Sequence, residues 1–316
     1  MQTRTPARGI WPAAVFCALA LGIGAAQALA QDVTITPKLK AGDQFRLALV
    51  RNRENSAQSQ QSGGSKTIVS VSVISATQEG FVVDWRPGET VLDNPVLAQN
   101  PLISAALEAV RDLHFHLTLN ATGKLTGLAN QAEVVPKLKS IVDTIVKELL
   151  ARLPAERRQA MLGMVNQVVS PEALVVGATR DAWVYFGLNG MALASGDVTE
   201  VEVQQPSLLG SDLIPGMFRA RMESVTGDAA SLTATTTYDK AALMRLTESL
   251  AKQAGVPIPP EALAKLPPIE MSDEGSYVFD RTVGLMREVN VKRRVSAGRN
   301  ERVDSWEIRL LDGPQR

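Results

Sequence analysis

The chain of 316 residues carries 33 basic and 33 acidic side chains, so its formal net charge at neutral pH is zero. This balance argues against a nucleic-acid-binding surface, which requires a strongly basic footprint. The only cysteine is Cys17, so no disulfide can form beyond residues 1–30, and the fold there depends on its hydrophobic core.

Residues 1–30 have the pattern of a secretory signal peptide. Arg4 and Arg8 precede an apolar segment, and Ala28 and Ala30 provide a small-residue cleavage site. We expect cleavage after Ala30 by the general secretory route, which would place the mature protein in the periplasm or outside the cell. Its net charge would then be −2, because Arg4 and Arg8 are removed.

Neither a lipid anchor nor a membrane span is expected in the mature chain. Cys17 lies in the middle of the apolar segment and directly follows the bulky Phe16, which is unlike the cysteine of a lipoprotein signal. No later run of eighteen apolar residues follows, so no second segment is expected to span a bilayer.

Residues 31–92 predict antiparallel strands joined by turns. Apolar and polar side chains alternate in three stretches, as they do in half-buried strands. The apolar members are Phe45, Leu47 and Leu49, then Val69, Val71 and Val73, then Phe81, Val83 and Trp85. Residues 55–66 are polar and of low complexity, so they predict a mobile loop between the first two strands.

Residues 114–153 form the unit around which we expect the fold to be organised. Phe115, Leu117 and Leu119 alternate with polar side chains, and residues 120–123 predict a tight turn, so the segment begins with a β-hairpin. A long helix follows, because apolar side chains recur on one of its faces. They are Val134, Leu138, Ile141, Val142, Ile145, Leu149 and Leu153. Two further helices are expected up to residue 178, and then a strand at 183–186.

The second half repeats the order of the first: a hairpin, a helix at 240–254 and then long strands at 285–295 and 301–311. The fold class predicted is α+β. It consists of an antiparallel sheet, pseudo-duplicated and able to curve, with a helical insert packed on one face. We divide the mature chain at residue 180. Residues 31–180 hold the first strands and the helical insert, and residues 181–316 hold strands and a helix that continue the same sheet.

The last two strands are rich in arginine, including Arg287, Arg293 and Arg302, with acidic residues interleaved. The simpler interpretation is cross-strand charge pairing on a solvated face. The alternative is a binding site for an anionic lipid or another polyanion.

His114 and His116 are the only histidines, and their spacing places both on the same face of a strand. They are therefore the only imidazole candidates for metal ligands. A metal needs further ligands, and only scattered carboxylates such as Asp112 and Glu133 are at hand. Two ligands define no coordination sphere, so the sequence predicts no metal site and no cofactor.

The helical segment 134–178 has more apolar surface than one helix needs to cover a sheet. Ordinary core packing is one explanation, and an apolar ligand cavity between helices and sheet is the other. The ligand candidates are Leu138, Ile141, Ile145, Leu149, Met161 and Met164. If Leu149 is packed in a core, its truncation to alanine should cost about 2–5 kcal/mol.

Residues 115–125 (Phe-His-Leu-Thr-Leu-Asn-Ala-Thr-Gly-Lys-Leu), followed by Leu128-Ala129-Asn130, resemble a motif of bacterial exported, lipoprotein-like proteins of unknown function. The resemblance extends to the strands around 45–85 and to residues 113–150, and it implies an antiparallel sheet with a helical insert. It implies no catalytic residues, and the chain departs from such lipoproteins by lacking their acylated cysteine.

Two functions remain after this comparison. The first is a non-enzymatic exported protein that binds an apolar, lipid-like ligand between sheet and helices. The alternative is a cell-envelope scaffold or protein-interaction module without a small ligand. No nucleophile–base or cofactor-binding motif is found, so an enzyme is not expected.

Overall fold

The computed structural model describes residues 32–56, 62–151, 153–154, 158, 170–206, 213–253, 261 and 267–315. Their main feature is a sheet of eleven strands in which every neighbouring pair is antiparallel. The strands of this sheet are β2 (Gln44–Asn55), β3 (Gly63–Ala76), β4 (Gly80–Leu92), β5 (Phe115–Asn120), β6 (Leu125–Leu128), β8 (Val198–Pro206), β9 (Leu213–Val225), β10 (Ala229–Tyr238), β11 (Ile269–Asp280), β12 (Leu285–Ala297) and β13 (Asn300–Gln315). Two short strands, β1 (Val33–Thr34) and β7 (Ala192–Leu193), pair separately.

Five described helices connect these strands. They are α1 (Pro95–Ala98), α2 (Pro101–Arg111), α3 (Gln131–Ala151), α4 (Pro171–Phe186) and α5 (Lys240–Gln253). The side chains of Asn94, Asn100 and Ser170 cap the first turns of α1, α2 and α4, and a proline is the first residue of each helix. None of the described helices is both long enough and apolar enough to cross a membrane.

The strand order across the sheet is β6-β5-β4-β3-β2-β13-β12-β11-β10-β9-β8. Each half of the chain forms its own run of neighbouring strands, and the two runs meet where β2 pairs with β13. Both halves place three strands, then helix, then two or more strands in succession. The large antiparallel sheet predicted from the alternation of side chains is therefore present, and it contains strands from both halves.

One face of the sheet carries the main hydrophobic core. The alternating residues of each strand point to this face, which we call the apolar face. Its buried members include Phe45, Leu47, Val69, Val71, Val83, Leu117, Leu232, Met222, Val289 and Ile308. The end of α4 joins this core. Tyr185 and Phe186 lie 4.9 Å apart, and the Trp85 ring is 6.4 and 6.2 Å from them between ring centroids.

The hairpin at the start of the organising segment has the predicted form. Asn120 accepts hydrogen bonds from the backbone of Thr122 and Lys124, and Gly123 adopts a positive φ of 82°. A Cβ at Gly123 would lie 2.3 Å from Pro37, so both the backbone angle and the space require glycine.

Two sequence-based expectations are wrong. Asn55 ends β2 and residues 63–66 belong to β3, where Gly64 pairs with Asn52, so both ends of the predicted loop 55–66 are strand. Residues 57–61 of that loop lie outside the described residues. The segment 183–186 is the last turn of α4 rather than a strand. Short apolar runs suit either structure, and here the Ser170 cap starts a helix that extends through them.

Candidate functional site

The apolar ligand candidates on α3 differ widely in exposure. Val134 and Leu138 are buried, and Ile141 and Ile145 are half-buried. Leu149 exposes 52% of its surface, so it is not packed against the sheet and the core interpretation of this residue is wrong. We call Ile141, Ile145 and Leu149 the α3 stripe. The other two candidates, Met161 and Met164, lie outside the described residues.

The exposure of the α3 stripe follows from what α3 touches. Among the described elements, the main contacts of α3 are with α2 and α4, and its fully buried residues are confined to its first half. No side chain of α2, whose residues 101–111 are all described, is fully buried either. Its apolar side chains are half-exposed, and they are Leu102, Ile103, Leu107 and Val110. The helices therefore present apolar surface that their mutual packing leaves partly uncovered.

A shallow depression of about 340 Å³ lies along α3, and five of its six lining residues are polar or charged. The lining residues are Pro136, Lys139, Ser140, Asp143, Thr144 and Lys147. Lys139 and Asp143 form an ion pair of 2.7 Å within it. This depression is on the solvated side of the helix and does not correspond to the apolar cavity considered from the sequence.

A row of alternating charges crosses four strands on the apolar face. Arg53, Asp304, Arg293 and Asp273 are direct neighbours in register on β2, β13, β12 and β11, and we call them the charge ladder. Arg53 Nε donates to Asp304 at 2.6 Å. Arg293 donates to both oxygens of Asp273 at 2.7 Å. Tyr238 closes the ladder, because its hydroxyl donates to Asp273 at 2.6 Å.

Burial and ion pairing oppose each other in the ladder. Burial would raise the pKa of Asp304, but hydrogen bonds from Arg53 and Arg302 outweigh it and lower the pKa. Burial also raises the pKa of Tyr238, so its hydroxyl stays protonated. The cross-strand charge pairing expected from the arginine-rich strands is present. The location expected on a solvated face holds for the pair of Arg294 and Glu301, whose side chains are 58% and 37% exposed. It does not hold for the charge ladder, because Asp304 is only 4% exposed and shares the apolar face.

A second cluster of polar side chains lies where α4 packs on the sheet. Asp181 pairs with Arg51, and the Arg180 guanidinium lies 4.9 Å from the ring centroid of Trp306. Burial lowers the pKa of Arg180. Arg51 Nε, Trp306 Nε1 and Asp181 Oδ1 are buried without a hydrogen-bond partner among the described residues. Each of these atoms can form a hydrogen bond with a polar group of a ligand, and a hydroxyl suits either kind because it both donates and accepts.

The two histidines meet a third potential ligand. Asp84 of β4 is directly opposite His116 of β5, and the ligand atoms of Asp84, His114 and His116 lie within 4.8 Å of one another. Asp84 Oδ2 lies 2.9 Å from His114 Nδ1, and Arg86 Nη2 lies 3.2 Å from the same oxygen.

Neither carboxylate named with the histidines from the sequence is the third member. Asp112 pairs with the neighbouring Arg111 at 4.0 Å, and Glu133 pairs with Lys137 at 2.8 Å. The signal that identifies Asp84 is a carboxylate at an outward position of a strand otherwise rich in apolar residues. The register of β4 against β5 is needed to place Asp84 beside the histidines.

No protein-family model matches the sequence, and no curated protein matches it. Among solved structures, a chain described as "lipid-protein interactions in lipovitellin" is similar at 7% identity with a TM-score of 0.38. The match covers 87% of this chain but only 26% of the lipovitellin chain. This chain therefore spans about a quarter of that protein, and a TM-score this low assigns neither a fold nor a ligand.

Proposed function

We propose that this chain is a non-enzymatic exported protein of the periplasm that binds an apolar, lipid-like ligand between its helices and its sheet. The observation that carries the proposal is the α3 stripe. These large apolar side chains continue the helical face of the buried Leu138, and they become more exposed along the helix, up to 52% at Leu149.

Uncovered apolar surface of this kind is unfavourable in water, at about 25 cal/mol per Å². Single exposed apolar residues are common on soluble proteins and need no explanation. The stripe differs because its members follow one another on one face of α3, and because the apolar face of the neighbouring α2 is also incompletely covered. An acyl or similar chain placed along α3 would cover both.

The cluster of polar side chains beneath α4 favours a ligand that has one polar end. α4 contacts α3, and its residues Arg180 and Asp181 lie with Arg51 and Trp306 on the apolar face of the sheet. Arg51 Nε, Trp306 Nε1 and Asp181 Oδ1 are buried and have no hydrogen-bond partner among the described residues. A buried polar atom without a partner costs about 1–3 kcal/mol of stability. A ligand hydroxyl would satisfy them.

The proposal predicts that Leu149 contributes more to binding than to folding. Because Leu149 is half-exposed, Leu149→Asp should change the free energy of unfolding by no more than about 0.5 kcal/mol. The introduced carboxylate would have to lose its hydration against the ligand chain. We therefore expect affinity for a dansyl-labelled fatty acid, measured by fluorescence titration, to fall at least tenfold.

The matched control is Ile74→Asp, since Ile74 is 49% exposed and projects from β3 on the other face of the sheet. It should leave probe binding unchanged. Equal binding by the wild type and the Leu149→Asp variant would contradict the proposal. So would native mass spectrometry that finds no apolar molecule on protein purified from the periplasm. Either result would favour the envelope scaffold without a small ligand.

A further inference from the structure

We infer that Asp84, His114 and His116 form a binding site for a divalent transition-metal ion, with Zn²⁺ as the simplest occupant. The site lies on β4 and β5, on the face of these strands opposite to the apolar face. It is separate from the α3 stripe and does not depend on the proposed lipid-like ligand.

Backbone pairing fixes the geometry of the site. His116 is directly opposite Asp84, and His114 is two residues earlier on the same face of β5. The three ligand atoms lie within 4.8 Å of one another, and one pair is already at 2.9 Å. Ligands about 2.0–2.1 Å from a tetrahedral ion are about 3.3 Å apart, so small side-chain rotations bring the set to bonding distance.

Asp84 provides an independent indication that a ligand binds at this position. The residue is only 8% exposed, and its Oδ1 atom has no hydrogen-bond partner in the part of the chain that the structure describes. Arg86 and His114 both contact the other oxygen, Oδ2. A buried carboxylate oxygen without a partner is costly, and coordination to a cation would remove that cost.

Asn130 holds the histidine backbone in place. Its Oδ1 accepts from the backbone N–H of His116 at 3.0 Å, and its Nδ2 donates to the carbonyl of His114 at 2.9 Å. One side chain therefore fixes the positions from which both imidazoles project. Such support around the ligands reduces the ordering that an ion would otherwise have to impose.

Arg86 is the competitor for this position. Its guanidinium lies 3.2 Å from Asp84 and 3.1 Å from His114 Nδ1, so its positive charge balances the carboxylate. The side chain is 51% exposed and can turn toward solvent. A bound metal ion would therefore replace the Arg86 guanidinium as the cation beside Asp84. Removal of the Arg86 side chain should strengthen metal binding.

The donor set favours ions that accept imidazole. Two histidines and a carboxylate suit Zn²⁺, Cu²⁺ and related ions, whereas Ca²⁺ and Mg²⁺ prefer sites made entirely of oxygen. Three protein ligands leave at least one coordination position open to water.

The composition of the chain makes a direct test practical. Because His114 and His116 are the only histidines, imidazole coordination in protein without a histidine tag can come from no other residue. We expect the full chain, treated with a chelator and dialysed, to bind one Zn²⁺ by calorimetry. We expect Cu²⁺ in the same protein to show nitrogen hyperfine coupling from two imidazoles.

Three variants and a control determine whether these residues are the ligands. Asp84→Asn should weaken Zn²⁺ binding at least tenfold, and the double variant His114→Gln/His116→Gln should abolish it together with the imidazole signal. Arg86→Gln should bind Zn²⁺ at least threefold more tightly. Asp93→Asn, which changes an exposed carboxylate just beyond β4, should bind as the wild type does.

Wild-type protein that shows no Zn²⁺ binding at 100 µM, roughly 5.5 kcal/mol of affinity, would overturn the inference. Unchanged binding in the double histidine variant would do the same. If Asp84→Asn does not fold, the double variant still decides, because the His114 side chain is 43% exposed and its replacement should be tolerated. Weaker Zn²⁺ binding by Arg86→Gln would mean that the ion lies elsewhere.

Discussion

Asp280 shows how a single carboxylate can organise a strand connection. It ends β11, and it accepts hydrogen bonds from the backbone of Thr282 and Val283 and from the Thr282 hydroxyl. Arg287 donates to its other oxygen at 2.7 Å. Burial would raise the pKa of Asp280, but the hydrogen bonds from Thr282 and Arg287 outweigh it and lower the pKa to about 2.

The low pKa of Asp280 predicts a pH-dependent contribution to stability. The unfolded carboxyl has a pKa of about 3.9, so the charged form is favoured by folding. Its contribution is fully present above about pH 4 and is lost as the pH falls toward 2. We expect Asp280→Asn to lower the free energy of unfolding by about 1–2 kcal/mol at pH 7, with the difference from wild type shrinking below pH 4.

Urea denaturation at several pH values measures this difference, and Asp228→Asn is the matched control. Asp228 also faces Arg287, but at 3.6 Å and with 66% of its side chain exposed, so its loss should have little effect. A penalty for Asp280→Asn that stays constant down to pH 2 would show that the hydrogen-bond geometry, rather than the charge, is responsible.

Two of the three residues of the candidate metal site could be placed from the sequence, and the third could not. Alternation alone places His114 and His116 on one face of a strand, and the structure has them there. The third residue, Asp84, is 30 positions away from His114, and only the pairing of β4 with β5 brings it close. A register is a long-range property, because a shift by one residue exchanges the two faces.

At the scale of elements, α4 is held to the sheet by a buried hydrogen bond. The Tyr185 hydroxyl donates to the backbone carbonyl of Met286 at 3.0 Å, and its ring packs with the rings of Trp85 and Phe186. Burial raises the pKa of the Tyr185 hydroxyl well above its usual range, so the donor remains protonated.

Tyr185→Phe should therefore destabilise the protein with almost no change in shape. The ring contacts remain, but the Met286 carbonyl loses its partner in a dry environment. We expect a loss of about 1–3 kcal/mol in the free energy of unfolding, measured by chemical denaturation. Trp183→Phe on the same helix is the control, since Trp183 is 39% exposed. An equal loss in both variants would contradict a specific role for the hydroxyl.

The apolar periodicity of α3 predicted the helix but not how much of its apolar face is buried. Val134 and Leu149 belong to the same apolar face of α3, yet Val134 is 1% exposed and Leu149 is 52% exposed. Periodicity identifies the face of a helix that favours apolar contact. How far a neighbour extends along that face depends on the placement of α2 and α4, which no local pattern of residues specifies.

At the scale of the whole molecule, the alternation of side chains was enough to predict a large antiparallel sheet. Alternation could not predict the order of the strands in the sheet. The backbone edge of one strand can pair with any of several other strands. The charge ladder illustrates this: Arg53 and Asp304 are 251 residues apart in the sequence and become neighbours only when β2 pairs with β13.

Export remains a prediction, since residues 1–31 lie outside the described part. Protein recovered from the periplasm should begin at Gln31 when analysed by N-terminal sequencing, because Ala28 and Ala30 fit the cleavage site. The variant Ala30→Leu should be processed poorly and remain with the membrane fraction. Recovery of the wild type with Met1 intact, or with an acylated Cys17, would contradict a cleaved signal peptide.

The pairing of β2 with β13 has a consequence for how the chain folds. Arg46 and Asp312 are 266 residues apart, yet Arg46 Nε donates to this carboxylate at 2.7 Å near the middle of the sheet. Closing so large a loop is entropically costly, and contacts of this kind tend to form late. While β13 is still missing, β2 and β12 are each left as an unpaired edge of an incomplete sheet, and such edges are prone to aggregation. A nascent chain would thus gain most of its cooperativity only after its last strand has been made, and the proposed export, which requires an unfolded chain, would be compatible with such late folding.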